Sequence, residues 1–579
     1  MAKNQSTNKQ VPKPTTPSKK IDDKHIVFNV KVLWTILGLV FILFVFSIFK
    51  NIQYPLFWAD ESMTVVGAQR VLEFGYPKVH DGKNVFYDLR HSNPKLGIDE
   101  ATDAYVGGTS WGHYYFATIG VKLAEGFNDI YTKTGIIRST FAFIGIAGLG
   151  LFVYFVSFLF KKIEHKLLFA ITFFFLSLFS VSLALLLREA RYYSISIFLF
   201  SLITGIYIKH RFAGGLNLIS LRISLFGLLW LLFMTFAPAF FIVLVIIAIS
   251  ETAIGLKELI ETKDLLVVAK KIEPIFSASL VSLIFIYPFL SYFKTFEISE
   301  AMAAFNGYGK KMYWDNISTI LKYFKNFELL WLAVILKIYL LFNFKSVSKF
   351  NGRYLVVSLF SALIFVVYLF LIGRVPNFIY TRYIILLQPI VVFSIAFDAL
   401  AIVLAGGNEG NLVVNFRSIS VAIIILVLLC VNISGNSKFL KGHLTELANQ
   451  YKGPLDYTIP AIKAKYPNTE NLVVAANYEE TSYMYYLGCK VVVGFIGNNL
   501  GEDANASPDV LAYRKPWGNY IEVFQEFMKK SPYLPERYPI YDNPVNNIPE
   551  LNFLPAFNHK FETVQPNTEQ DKTDLYFIR

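Results

Sequence analysis

Seven uncharged apolar runs, each long enough to cross a bilayer, constrain this chain more than any other feature. They cover residues 32–49, 139–160, 167–187, 192–208, 274–293, 354–373 and 418–437. A hydrocarbon layer of ~30 Å takes roughly 17–25 apolar residues per helix. Two further runs carry one charge each, 329–344 with Lys337 and 383–404 with Asp398. Both charges lie towards one end, within reach of headgroups or a polar neighbour. The run 214–250 is too long for one span, and Pro238 divides it into two. The total is eleven spans. Only 17% of the 579 residues are charged and 54% are hydrophobic, whereas soluble chains carry about a quarter charged residues. The fold class is therefore an α-helical polytopic membrane protein. With 34 Gly, 23 Pro and 2 Cys, the chain is neither collagenous nor a disulfide scaffold.

Charge sets the expected sidedness. Residues 1–25 hold six Lys against two Asp, a net +4, and read as a disordered cytoplasmic tail. Residues 436–579 hold 14 Lys and Arg against 17 Asp and Glu, a net −3. The overall +12 thus leaves +11 for residues 26–435. That excess sits in short connections such as Lys161–Lys166, Lys209–Arg211, 256–273 and 345–353, the positive-inside pattern of cytoplasmic loops. Nucleic acid is excluded as a partner because no contiguous basic patch exists. The first apolar run reads as a membrane anchor rather than a cleaved signal peptide. Eleven spans from a cytoplasmic N-terminus put residues 436–579 outside the cell (inner) membrane, together with residues 50–137, Arg374 and Arg382.

Two segments exceed what connections need. Residues 50–137 form a long outer loop, expected to hold two interfacial helices. One covers 61–74 with Val65, Ala68, Val71 and Leu72 on a face. The other covers 111–127 with Tyr115, Ile119, Leu123 and Phe127 aligned. Residues 436–579 read as an extracytoplasmic α/β domain: a helix at 455–466, a strand at 471–476, a helix at 478–487, a strand parallel to the first at 490–496, and a last strand at 575–579. Residues 500–560, rich in Pro, Asn and Tyr, read as an ordered, loop-heavy surface. No Gly-rich phosphate loop follows the first strand, so a nucleotide site is not expected there. Cys430 lies in the last span and Cys489 in the outer domain, so they do not pair.

The residues suited to chemistry gather on the expected outer side. Trp58-Ala59-Asp60-Glu61 puts two adjacent carboxylates near membrane level, costly to keep there without a use. Their plain structural role would be for Asp60 to cap a helix beginning at Glu61. Arg188-Glu189-Ala190-Arg191-Tyr192-Tyr193 sits at the turn after the third span. Glu189 is there a natural partner for either Arg, while the Arg forks themselves suit phosphate. Arg374, Tyr380-Thr381-Arg382-Tyr383 and Arg138, at the start of the second span, complete the set. Arg placed outside runs against the positive-inside trend and points to an anionic partner.

A carboxylate pair soon after the first span, the stretch Gly112-His113-Tyr114-Tyr115 in a long outer loop, and an Arg opening the second span together resemble the GT-C glycosyltransferases. The protein O-mannosyltransferases and lipid A aminoarabinose transferases are the most similar families. The stretches REARYYS after the third span and TRYIILLQP at the tenth are also similar to that pattern. The resemblance covers roughly residues 30–400. It implies that a sugar passes from a polyprenyl-phosphate-linked donor to a hydroxyl on a protein, lipid or polysaccharide acceptor. Asp60 would be the general base, supported by Glu61, with Glu189 as the second acidic group. Arg138, Arg191 and Arg382, with Arg374 and Arg188, would bind the donor phosphate. Trp58, His113, Tyr114, Tyr192 and Tyr383 would line the path of sugar and lipid. A divalent metal ion, if used, would draw on Asp60, Glu61 and Glu189. Two alternatives compete: a lipid-phosphate transporter or flippase, which should carry acidic or polar groups deep in several spans, and a membrane-anchored binding protein whose outer α/β domain is the working part.

Overall fold

The computed structural model describes residues 29–86, 97–107, 110–305, 309–374, 379–406, 415–495, 497, 500–515, 519–541, 546–563 and 572–579. The expected N-terminal tail lies outside the described residues. The described part is a polytopic helical membrane protein. Nine of its helices are long and apolar enough to span: α1 (Val30–Phe49), α4 (Ile130–Ser157), Tyr192–Ala213 (its α-helical part Tyr192–Ile208 is α7), α8 (Leu218–Thr235), α9 (Ala237–Thr262), α10 (Leu265–Tyr292), α14 (Phe344–Ile372), α16 (Leu387–Leu404) and α17 (Phe416–Gly435). A tenth is available if α5 (Ile163–Ser177) and α6 (Val181–Arg188), bent by 84° at their junction, make one broken span. The remaining apolar helix, α13 (Leu330–Phe342), has 13 residues. Each of the ten runs read from sequence falls on these elements, 167–187 on the bent pair α5 and α6 and 214–250 on α8 and α9. Phe236, with non-helical dihedrals, separates α8 from α9, and Pro238 occupies the first turn of α9, where a missing N–H costs little.

Close packing joins α4 and α7. At Gly148 of α4, an added Cβ would stand 2.4 Å from the Phe198 Cα of α7. The two helices meet backbone to backbone, as small residues allow between spans. The two charges inside spans find each other: Lys337 Nζ lies 2.8 Å from Asp398 Oδ2 and donates to the Ser358 carbonyl at 2.8 Å. Glu328, buried beside the α5–α6 bend, accepts from Ser182 at 2.6 Å, Tyr323 at 2.6 Å and Gln388 at 3.0 Å.

The two loop helices form, but they differ in setting. α3 (Gly112–Ala124) buries His113, Tyr114, Ala117 and Val121, while Tyr115, Ile119 and Leu123 stay exposed as an apolar stripe. That arrangement suits a helix lying at a lipid boundary. α2 (Ala59–Phe74) is instead enclosed on nearly all sides through Val71. Its neighbours are α3 on one side and α20 (Glu480–Leu487) of the C-terminal region on the other. Polarity hid this burial, because Ser62 and Thr64 are buried polar residues.

The C-terminal region holds a five-stranded sheet. In chain order its strands are β3 (Val473–Ala476), β4 (Lys490–Val493), β5 (Val510–Ala512), β6 (Tyr533–Tyr541) and β9 (Lys572–Ile578), arranged β4-β3-β5-β9-β6. β3 runs parallel to both β4 and β5, and β9 runs antiparallel to β5 and β6. The strand–helix–strand unit read from sequence is present. Residues 500–560 correct the reading of a loop-heavy surface. They contain β5, β6, the helix Ile521–Lys530, and the hairpin of β7 (Glu550–Leu551) with β8 (Asn558–His559). Part of this segment is packed against the helical bundle. Thr381 N donates to the Asn552 carbonyl at 3.0 Å, Leu554 N to Ile379 at 3.0 Å, and Asn547 Nδ2 to Leu56 at 2.6 Å. The apolar residues that look surface-bound, Leu554 and Phe557, are buried at this seam.

Candidate active site

The seam encloses a cavity of about 500 Å³ whose walls come from both ends of the chain. Trp58, Asp60 and Met63 of the α2 start face Tyr380 and Arg382 on one side. Tyr478, Glu480, Phe495, Asn552, Glu550 and Lys560 close the other. Trp58, not Asp60, occupies the N-cap of α2, and its side chain makes no capping bond. Asp60 is therefore released from the capping role and turns into the cavity, with a side chain 24% exposed. In the first turn it also gains from the positive helix terminus.

Two guanidiniums hold it. Arg382 Nη1 donates to Asp60 Oδ2 at 2.6 Å, and Arg191 Nη2 lies 3.6 Å from the same oxygen. Arg382 is surrounded by aromatic faces, 4.5 Å from the Tyr380 centroid, 5.4 Å from Tyr383 and 5.7 Å from Trp58. Such a cage keeps a guanidinium charged in a partly buried place. Arg191 also donates to Thr64 Oγ1 at 3.1 Å and lies 5.6 Å from the Tyr192 ring.

Glu61, the neighbouring carboxylate, points elsewhere. It is fully buried and accepts from Arg138 Nε at 2.8 Å, Arg138 Nη2 at 2.5 Å and the Ala190 backbone N at 2.9 Å. Arg138 Nη1 donates to the carbonyls of Ile52 and Pro55. The geometry thus gives Arg138 partners within the protein rather than a free face towards the cavity. All three of its donor nitrogens are engaged, and it joins α2, α4 and the α6–α7 turn. Arg188 likewise pairs with buried Glu446. Arg374 is exposed and lines a different cavity with Glu300 and Lys310.

Glu189 pairs with neither adjacent Arg. It is 5% exposed, and its Oε2 has no hydrogen-bond partner among the described residues. His113 is fully buried with its ring 4.0 Å from that of Tyr114, and burial beside Arg191 depresses its pKa well below the imidazole range. Tyr114 is buried with it. Tyr192 stacks on Phe236 at 4.8 Å. Tyr383 accepts a bond from Tyr368 through its carbonyl. These four rings form the support behind the cavity rather than its surface. Asp60, Glu61 and Glu189 do not converge as metal ligands: among the described residues, their oxygens form no group within 4.8 Å of one another.

Sequence reasoning missed Glu550 and Lys560. Both oxygens of Glu550 and the Nε1 of Trp58 are buried without a hydrogen-bond partner among the described residues, and all three belong to cavity-lining side chains. Burial pushes the Glu550 carboxyl up to about 7 and the Lys560 ammonium down to about 7. Perturbed groups of this kind collect in functional clefts. Their only sequence signal was the density of polar and aromatic residues in 500–560. Comparison with protein-family models and with curated proteins yields no match for this chain.

Proposed function

We propose that this protein is a glycosyltransferase of the GT-C kind, moving a sugar from a polyprenyl-phosphate-linked donor to an acceptor hydroxyl at the outer face of the cell membrane. The observation that carries the reading is the carboxylate of Asp60, set in a cavity at the seam of bundle and outer domain with Arg382 and Arg191 beside it. The acceptor oxygen attacks the anomeric carbon as its proton passes to Asp60. The bond from that carbon to the phosphate oxygen breaks, with inversion, and the polyprenyl phosphate leaves carrying the negative charge. Arg382 and Arg191 stabilise that charge where it develops. An incoming phosphate shares their charge and so frees Asp60 to act as base. The cavity's rings suit a sugar, and the wall from residues 546–560 suits an acceptor arriving from outside. Eleven spans, a cytoplasmic N-terminus and an extracytoplasmic C-terminal domain accompany this reading.

The transporter reading draws on the charged groups between helices, Glu328 and the Lys337–Asp398 pair. Each of these groups pairs with another or with neighbouring hydroxyls and amides, which suits a packing role, although Asp398 Oδ1 has no hydrogen-bond partner among the described residues. The test is Asp60→Asn in membranes supplied with a polyprenyl-phosphate sugar. Loss of a general base lowers transfer by about 10²–10⁴-fold. Full transfer by the variant would refute the assignment.

A further inference from the structure

A second constellation lies outside the cavity. His443 and Glu446 stand three residues apart on the helix Ser437–Ala448, which follows the last span. His559 ends β8 and meets them from the other side. All three are buried, and one ligand atom from each lies within 4.8 Å of the others. Glu446 Oε2 is 3.0 Å from His559 Nε2 and 3.5 Å from His443 Nδ1. Tetrahedral zinc with bonds of about 2.0–2.2 Å separates its ligand atoms by about 3.3 Å. The observed spacings bracket that value.

Three features favour a cation here over a plain hydrogen-bond chain. His443 Nδ1 is buried and has no hydrogen-bond partner among the described residues, although it faces the carboxylate. Leaving such a buried nitrogen without a well-formed hydrogen bond is costly. Arg188 binds the other carboxylate oxygen, Oε1, and so turns Oε2 towards the two imidazoles, the orienting role that outer-shell partners play at metal sites. Gly442 admits the second ring: an added Cβ there would stand 2.6 Å from His559 Cγ. Two imidazoles and one carboxylate suit zinc rather than magnesium or calcium.

We propose that His443, Glu446 and His559 form a three-ligand zinc site, its fourth position left to water, that ties the β7–β8 hairpin to the helix following the last span. Glu550 pairs with His559 in that hairpin, so the ion anchors the strand that carries one wall of the Asp60 cavity. The site is independent of the sugar-transfer reading. The test uses the full chain, purified in detergent without chelator, with metal content measured by plasma mass spectrometry. The expected result is about one zinc ion per chain in the unaltered protein and less than about a tenth in His443→Ala and His559→Ala. A second measurement does not depend on variants that fold. The unaltered protein, stripped with a chelator, should regain several degrees of thermal midpoint when zinc is added and none with magnesium. Sub-stoichiometric zinc without a zinc-dependent rise, or zinc retained in both variants, would overturn the proposal.

Discussion

Replacing Arg138 by Met separates the donor-phosphate role that the resemblance implies from the structural role that its buried pairing with Glu61 supports. If Arg138 grips a donor phosphate, its loss weakens donor binding and leaves the fold intact. The geometry points the other way. Glu61 is fully buried and loses two of its three donors, the Nε and Nη2 bonds at 2.8 and 2.5 Å, keeping only the Ala190 N–H. Hydrogen bonds to a charged group contribute about 1.5–3 kcal/mol each, so the gross loss is about 3–6 kcal/mol. Removing one member of a buried ion pair costs about 3–5 kcal/mol in comparable cases, much of it from the stranded charge. The Ile52 and Pro55 carbonyls also lose a donor. The expectation is a fall of several degrees in the thermal midpoint of the purified protein in mild detergent, read by size-exclusion chromatography after heating. Glu61→Gln in the same chain should recover at least half the loss, because no buried charge is then left uncompensated. An Arg138→Met protein with an unchanged midpoint and weakened donor binding would refute this reasoning and return Arg138 to the phosphate.

Two further measurements probe the seam and the sidedness. The Glu550 carboxyl is raised to about 7, so between its unfolded value near 4.5 and that point the folded state binds more protons, and stability falls as pH rises through this window. Glu550→Gln removes the penalty, so its thermal midpoint should exceed that of the unaltered protein at pH 8 and match it near pH 4.5. An equal shift at both values would contradict the burial argument. Orientation is tested with Lys529→Cys on the exposed helix Ile521–Lys530, in a chain also carrying Cys430→Ser; Cys489 is buried and silent. An impermeant thiol reagent should label it from the outer face of intact inner membranes. Labelling only after disruption would place the C-terminal region on the other side.

The membrane elements were legible because an apolar run of sufficient length has few alternatives to a helix in lipid. The strand–helix–strand unit at 473–493 was legible for a similar reason, since VVAA and KVVV are short Val-rich apolar runs on either side of a helical stretch. The burial of α2 was not legible. Ser62 looks like part of a solvent face until Thr481 and Ser482 of the C-terminal region supply its partners, as in the 2.7 Å contact of Ser62 with Thr481, and Thr64 does so until Arg191 donates to it. Partners some 420 positions away leave no local pattern. The same holds for the division of labour between Asp60 and Glu61. Adjacent residues on a helix point about 100° apart, so one carboxylate meets the cavity and the other meets Arg138. The sequence shows only that they are neighbours.

The seam also fixes when the cavity can exist. Asp60 and Glu550 are separated by 490 positions in the chain, and at about 5–20 residues per second their synthesis is roughly half a minute to a minute and a half apart. For the last 168 positions of that interval, once Arg382 has been made, the Asp60 carboxylate and its two Arg stand without their far wall. Only when the segment carrying Asn552 and Leu554 docks on Ile379 and Thr381 does a chamber close. Its last-made wall therefore acts as a timer: until the segment around Glu550 has been made, the earlier part of the molecule sits in lipid with an open, incomplete pocket.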